Sequence, residues 1–131
     1  MKTRWVLFVA MILLTGLSLS AQKPVDLVGT WGGDATLDSE AEANFLTLVL
    51  EMKDGELSGY MTGEYGTLNE SSLNEIKLEN DNFSFEVMAA GPGGGEVAIA
   101  FKLKVAGDTM EGSLEIPDMG ASGKWEAIRK K

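Results

Sequence analysis

Glu96-Val97-Ala98-Ile99-Ala100-Phe101-Lys102-Leu103-Lys104-Val105 carries an apolar residue at every odd-numbered position, and its last lysines, Lys102 and Lys104, fall between them. Successive side chains leave a strand on opposite sides. Val97, Ile99, Phe101, Leu103 and Val105 therefore form one apolar face, the pattern of a strand half-buried against a core. Ala106-Gly107-Asp108 breaks the run. The next segment, Thr109 to Ile116, restarts it with Met110, Gly112 and Leu114 on one side.

The same rhythm extends in both directions. Upstream, Phe83, Phe85 and Val87 alternate within Phe83–Ala89, after the turn-forming Asn80-Asp81-Asn82. Ile76 and Leu78 face inward in Leu73–Glu79. Leu57, Gly59 and Met61 do so in the segment after Lys53-Asp54-Gly55-Glu56, a hairpin signal because Asp-Gly accepts positive φ. Phe45–Lys53 turns Leu46, Leu48, Leu50 and Met52 inward, and Val28–Leu37 does the same with Trp31, Gly33, Ala35 and Leu37. Gly123–Arg129 is the last segment. Short alternating segments at roughly ten-residue spacing mark an all-β sandwich or barrel. The prediction is an antiparallel up-and-down meander barrel of about eight short strands. Inward glycines at 33, 59 and 112 suit sharp bends or close backbone approaches. Only Ser39–Asn44, with Glu-Ala-Glu-Ala, is suited to a helical turn.

The start of the chain has a different character. Lys2 and Arg4 precede an apolar run, Trp5–Leu14, and then the small-residue stretch Thr15–Gln22. This order is that of a secretory signal peptide, residues 1–21, cut after Ala21 or Ser20. A membrane anchor is the competing reading, but the run is only about half the roughly twenty apolar residues that a spanning helix needs. Residues 22–131 then form one domain, secreted or periplasmic, with no stable membrane span after cleavage. Nine basic residues remain against twenty acidic ones, a formal charge of −11. Such a surface repels phosphate backbones, so nucleic acid is not an expected partner. The chain has no cysteine. An exported domain without disulfides must be held by burial and hydrogen bonding, and a sheet closed on itself supplies both without leaving edges.

Histidine is absent too. That removes the common general base, the thiol nucleophile and nearly all zinc arrangements. Asp34, Asp38, Glu40 and Glu42 supply oxygen ligands without the regular calcium-loop order, and read as a solvated acidic loop. Gly93-Gly94-Gly95 lacks the Lys-Ser/Thr of a phosphate loop. No catalytic residue, metal or cofactor is expected, and the chain does not read as an enzyme.

Gly29-Thr30-Trp31 opens the first strand, and Arg129 lies in the last. This pairing resembles the lipocalin and calycin superfamily, where a Gly-x-Trp motif on the first strand packs against a basic residue near the chain's end and closes one end of the barrel. The resemblance implies that role for Gly29, Trp31 and Arg129. It also agrees with elementary chemistry: a buried indole needs cover, and a guanidinium can stack on it while bonding strand-end carbonyls. Asp54-Gly55-Glu56-Leu57-Ser58-Gly59, echoed by Gly107-Asp108-Thr109-Met110-Glu111-Gly112, is similar to lipocalin-like domains of secreted bacterial proteins. Gly-Thr-Trp and the short strands also look like avidin-type barrels, although that family's biotin-site residues have no counterparts here. The chain is shorter than true lipocalins and has no disulfide.

A barrel of eight strands is just wide enough to be filled or to hold one small ligand. Methionine adapts to irregular apolar shapes. The expected ligand-binding lining is therefore Met52, Met61, Phe85, Phe101 and Met110, with Met88 and Met119 nearby. The first functional expectation is a secreted, non-enzymatic module holding a small apolar ligand. The alternative is a protein–protein module, such as an inhibitor of a secreted enzyme or an envelope accessory domain. Its contacts would come from exposed loops 38–44, 63–71 and 117–122, which carry Tyr65, Leu68 and Met119.

Overall fold

A computed structural model describes residues 22–38, 43–64, 66–91 and 94–130. The expected signal peptide, residues 1–21, lies outside them. A 3-10 turn, Pro24–Leu27, leads into eight strands: β1 (Gly29–Leu37), β2 (Ala43–Lys53), β3 (Glu56–Gly63), β4 (Ser71–Glu79), β5 (Asn82–Ala90), β6 (Glu96–Ala106), β7 (Thr109–Ile116) and β8 (Ala121–Arg129), with a second 3-10 turn, Pro117–Met119, before the last. Each strand pairs antiparallel with the next, and β8 returns to β1 to close the barrel. The predicted fold class is the observed one. Among the described residues no helix is long and apolar enough to cross a membrane.

Alternation decides which residues are inside. Phe83, Phe85, Val87 and Ala89 of β5 are buried, as are Phe101, Leu103 and Val105 of β6, and they face Leu46, Leu48 and Leu50 of β2 in one continuous core. An aromatic row crosses it. Phe83 lies 5.3 Å from Phe85, Phe85 stacks on Phe101 at 4.9 Å, and Phe101 meets Trp125 edge-on at 5.6 Å. Such pairs add about 0.5–1.5 kcal/mol each beyond the area they bury.

Closing so small a barrel coils the strands tightly, and glycine permits it. A Cβ on Gly33 would overlap the Glu126 carbonyl, and one on Gly112 would overlap that of Lys102, so the neighbouring strands approach only because these residues have no side chain. The tight turns follow the sequence signals. Asp54 and Gly55 both have positive φ, 53° and 82°, as a two-residue hairpin requires.

Three local expectations change. In β4 both Leu73 and Ile76 pack on the core although they are three residues apart. One extra residue makes this possible: the β4–β5 register shifts between Asn74 and Lys77, and Glu75 takes φ 55°, a bulge that switches the inward parity. At the start of β2, Ala43 and Asn44 are extended, so the helical turn expected over Ser39–Asn44 does not include them; residues 39–42 lie outside the described segments. Met52, expected inside, is 39% exposed. It is next to last in β2, beside the 54–55 turn, where the barrel wall ends.

Candidate functional site

The two ends of the barrel differ. At one end lie the short turns between β2 and β3, β4 and β5, and β6 and β7, together with the 3-10 turn. This end is sealed. The Trp31 indole is fully buried and donates from Nε1 to the Leu27 carbonyl at 3.0 Å. Arg129 covers it, with the guanidinium carbon 4.5 Å from the ring centre. The same guanidinium donates to the carbonyls of Asp26 (2.6 Å), Val28 (3.1 Å) and Gly107 (3.3 Å), and through Nε to the Asp108 carboxylate (3.0 Å). Gly29, at φ 142°, gives the aliphatic stem room: a Cβ there would stand 2.9 Å from Arg129 Cδ. The contacts of these three residues join the 3-10 turn, the last strand and the β6–β7 turn over the buried indole.

The other end carries the longer connections, after β1, β3, β5 and β7, and it is hollow. A partly enclosed cavity of about 520 Å³ reaches down from them. Leu46, Ile99, Phe101 and Leu114 form its deeper wall, while Leu37, Thr67, Leu68 and Met119 stand nearer the rim. Ala89 contributes only a methyl group. Small inward side chains here, against phenylalanines and tryptophan lower down, create the volume.

Asn44 and Thr67 are the polar side chains of this wall. Asn44 sits opposite Ala35 in the β1–β2 register and lies over Gly63, where an added Cβ would be 3.7 Å from its amide atoms. Its Oδ1 is buried and has no hydrogen-bond partner among the described residues. A buried carbonyl oxygen left unpaired costs about 1–3 kcal/mol. The described rim residues carry Asp38, Glu64, Glu70, Glu96 and Asp118, and no lysine or arginine lines the cavity.

The residues expected to line a ligand site are distributed otherwise. Phe101 borders the cavity. Met61, Phe85 and Met110 are buried in the filled part of the core, and Met52 lies at the sealed end. Met88 falls between inward Val87 and Ala89 and so points away, whereas Met119 reaches the rim. Leu68, expected to be exposed on a loop, is only 2% exposed. It folds over the barrel mouth, held by a bond from the Gly63 N–H to its carbonyl at 2.9 Å. Tyr65 lies outside the described residues. Most of the lining, Asn44 and Leu68 among it, was not expected there from the sequence. The signal for Asn44 was its place two residues before Leu46, in phase with the inward leucines.

The geometry is thus an eight-stranded antiparallel closed barrel, covered at one end by Trp31 and Arg129 and open to a mostly apolar cavity at the other. Comparison with protein-family models, curated proteins and solved structures returns no match to this chain.

Proposed function

We propose that this protein is an exported, lipocalin-like, non-enzymatic binding module that holds a small, largely apolar molecule in the cavity at its open end. The observation that carries this reading is the contrast between the ends: Trp31 and Arg129 close one, whereas the other holds a partly enclosed volume of about 520 Å³ behind mostly apolar walls. Ligand pockets of small molecules fall in the range of about 300–1,000 Å³ and are lined mainly by apolar groups with a few polar ones. The absence of histidine and cysteine supports binding over catalysis. The N-terminal pattern of charge, apolar run and small residues supports export.

Native mass spectrometry of protein isolated from its own host, paired with displacement of a fluorescent lipid, tests the reading. A co-purifying mass and dose-dependent displacement are expected. A bare protein that displaces nothing overturns it.

One observation favours a second reading, a protein–protein module. On the outer wall, Phe45 and Ile128 are 39% and 64% exposed on either side of Gly32, whose missing side chain lets the Phe45 ring lie against the sheet. A single stoichiometric partner in a pull-down, lost on Ile128→Lys, would support that reading.

A further inference from the structure

We infer that Asn44 makes the cavity selective for guests whose head group is uncharged and donates a hydrogen bond, such as an alcohol or an N–H amide, and that carboxylates are excluded. The inference rests on the preceding reading that the cavity takes an apolar guest, and adds the chemistry of the head group. Three observations carry it. Asn44 belongs to the cavity wall, near the rim, and its Oδ1 is an acceptor without a donor. The amide is terminal and its χ2 well is broad, so rotation about χ2 can turn that oxygen toward the cavity. A hydroxyl or amide N–H arriving with the guest satisfies it, whereas an ether or ester oxygen cannot.

Charge supplies the exclusion. A carboxylate entering an apolar cavity loses its hydration and needs a cation or several donors in exchange. Among the described residues no lysine or arginine lines this cavity. The described rim instead holds Asp38, Glu64, Glu70, Glu96 and Asp118, which raise the cost of bringing an anion close. The wall's donors, the Asn44 Nδ2 and the Thr67 hydroxyl, serve an ether or an alcohol oxygen alike, so the discrimination between neutral heads comes from the unpaired Oδ1 alone. Depth completes the arrangement. With the head at Asn44, the apolar body lies against Ile99, Phe101 and Leu114.

The test uses three chains of similar length: 1-decanol, its isomer methyl nonyl ether, and decanoate. Each competes against the neutral dye N-phenyl-1-naphthylamine, whose own affinity is measured for every protein variant. For the wild-type chain, decanol is expected to bind about tenfold more tightly than the ether, the worth of one well-buried hydrogen bond, and decanoate more weakly than either. In Asn44→Leu the alcohol and ether should converge to within about twofold while the ether keeps its affinity. Asn44→Asp retains an acceptor, so its preference for alcohol over ether should persist and its decanoate affinity should fall further. That second variant decides the matter should Asn44→Leu not fold. Equal binding of alcohol and ether by the wild-type protein, or decanoate binding as tightly as decanol, overturns the inference and leaves the apolar-guest reading standing. Binding by none of the three overturns both.

Discussion

Arg129 lies over Trp31, 4.5 Å from the ring centre, and from there donates to carbonyls of both the Pro24–Leu27 turn and the β6–β7 turn. One side chain covers one of two fully buried tryptophans and satisfies three backbone acceptors that the end of a barrel would otherwise leave to solvent. Trp31→Ala is expected to lower unfolding free energy by about 3–5 kcal/mol, as large aromatic truncations in cores do. Arg129→Ala should cost about 2–3 kcal/mol, since charge-assisted bonds contribute more than neutral ones, and Arg129→Lys should recover less than half, because an ammonium cannot span the same fork. Asp108→Asn, altering a half-exposed ion pair, should cost under about 1 kcal/mol. Urea titrations of the four variants give the ranking. A wild-type Cm for Trp31→Ala would show that the sealed end contributes nothing to stability.

Glycine substitutions separate two reasons for glycine. At Gly55, φ is 82° and an added Cβ meets nothing within 4 Å. Gly55→Ala therefore pays only for left-handed backbone, about 1–2 kcal/mol. At Gly112 the backbone is unremarkable but the Lys102 carbonyl occupies the Cβ position, so β6 and β7 must separate. Gly112→Ala is expected to cost more than about 3 kcal/mol, beyond ordinary overpacking, and to broaden the thermal transition. Similar Tm values for the two variants would contradict this account.

Enlarging a side chain toward the cavity should behave differently from enlarging one in the core. Ala89 is buried, yet borders the open volume. Ala89→Leu should change stability by less than about 1 kcal/mol, because space exists where packed cores have none. It should weaken guest binding at least tenfold by filling that space. Calorimetry and dye displacement on the same sample test both halves. Val87→Phe, one inward position deeper, should destabilise by more than about 2 kcal/mol for want of room.

The barrel and its sealed end were legible because both rest on local rules. Period-two alternation assigns faces without knowledge of neighbours, and Gly29, Trp31 and Arg129 stand in the first and last strands, which must meet if the sheet closes. The β4 bulge was not legible in the same way. Leu73 and Ile76 could share a face only if Glu75 adopted a left-handed conformation, a cost that tertiary packing repays and local propensity does not announce. Leu68 was misread because loops are ordinarily surface structures, whereas this one spans an open mouth that needs apolar cover. The cavity itself depends on which inward positions carry small residues, Ala35 and Ala89, relative to one another across the barrel. That is a property of register, which a strand-by-strand reading does not supply.

The barrel has one thin seam. β3 and β4 are in register only at Tyr60↔Ser72 and Met61↔Ser71, whereas β5 and β6 are paired along their whole length from Asn82↔Lys104 to Ala90↔Glu96. Toward the sealed end the two strands diverge, and half-buried Leu57, Leu73, Ile76 and Leu78 bridge the gap by side-chain contact with the core. Backbone groups of Glu56–Gly59 and Asn74–Leu78 that face the seam have no ladder partner there. Local opening draws on the elements with fewest buried hydrogen bonds. Native-state hydrogen exchange should therefore find these seam amides exchanging at least a hundredfold faster than β5–β6 amides, and insensitive to denaturant at low concentration. A bound guest at the far end should leave their rates unchanged while slowing exchange near Asn44 and Leu68. Uniform protection around the barrel would mean that β3 and β4 are zipped in solution, with the apolar contacts of Leu57 and Ile76 no longer needed to hold the wall closed.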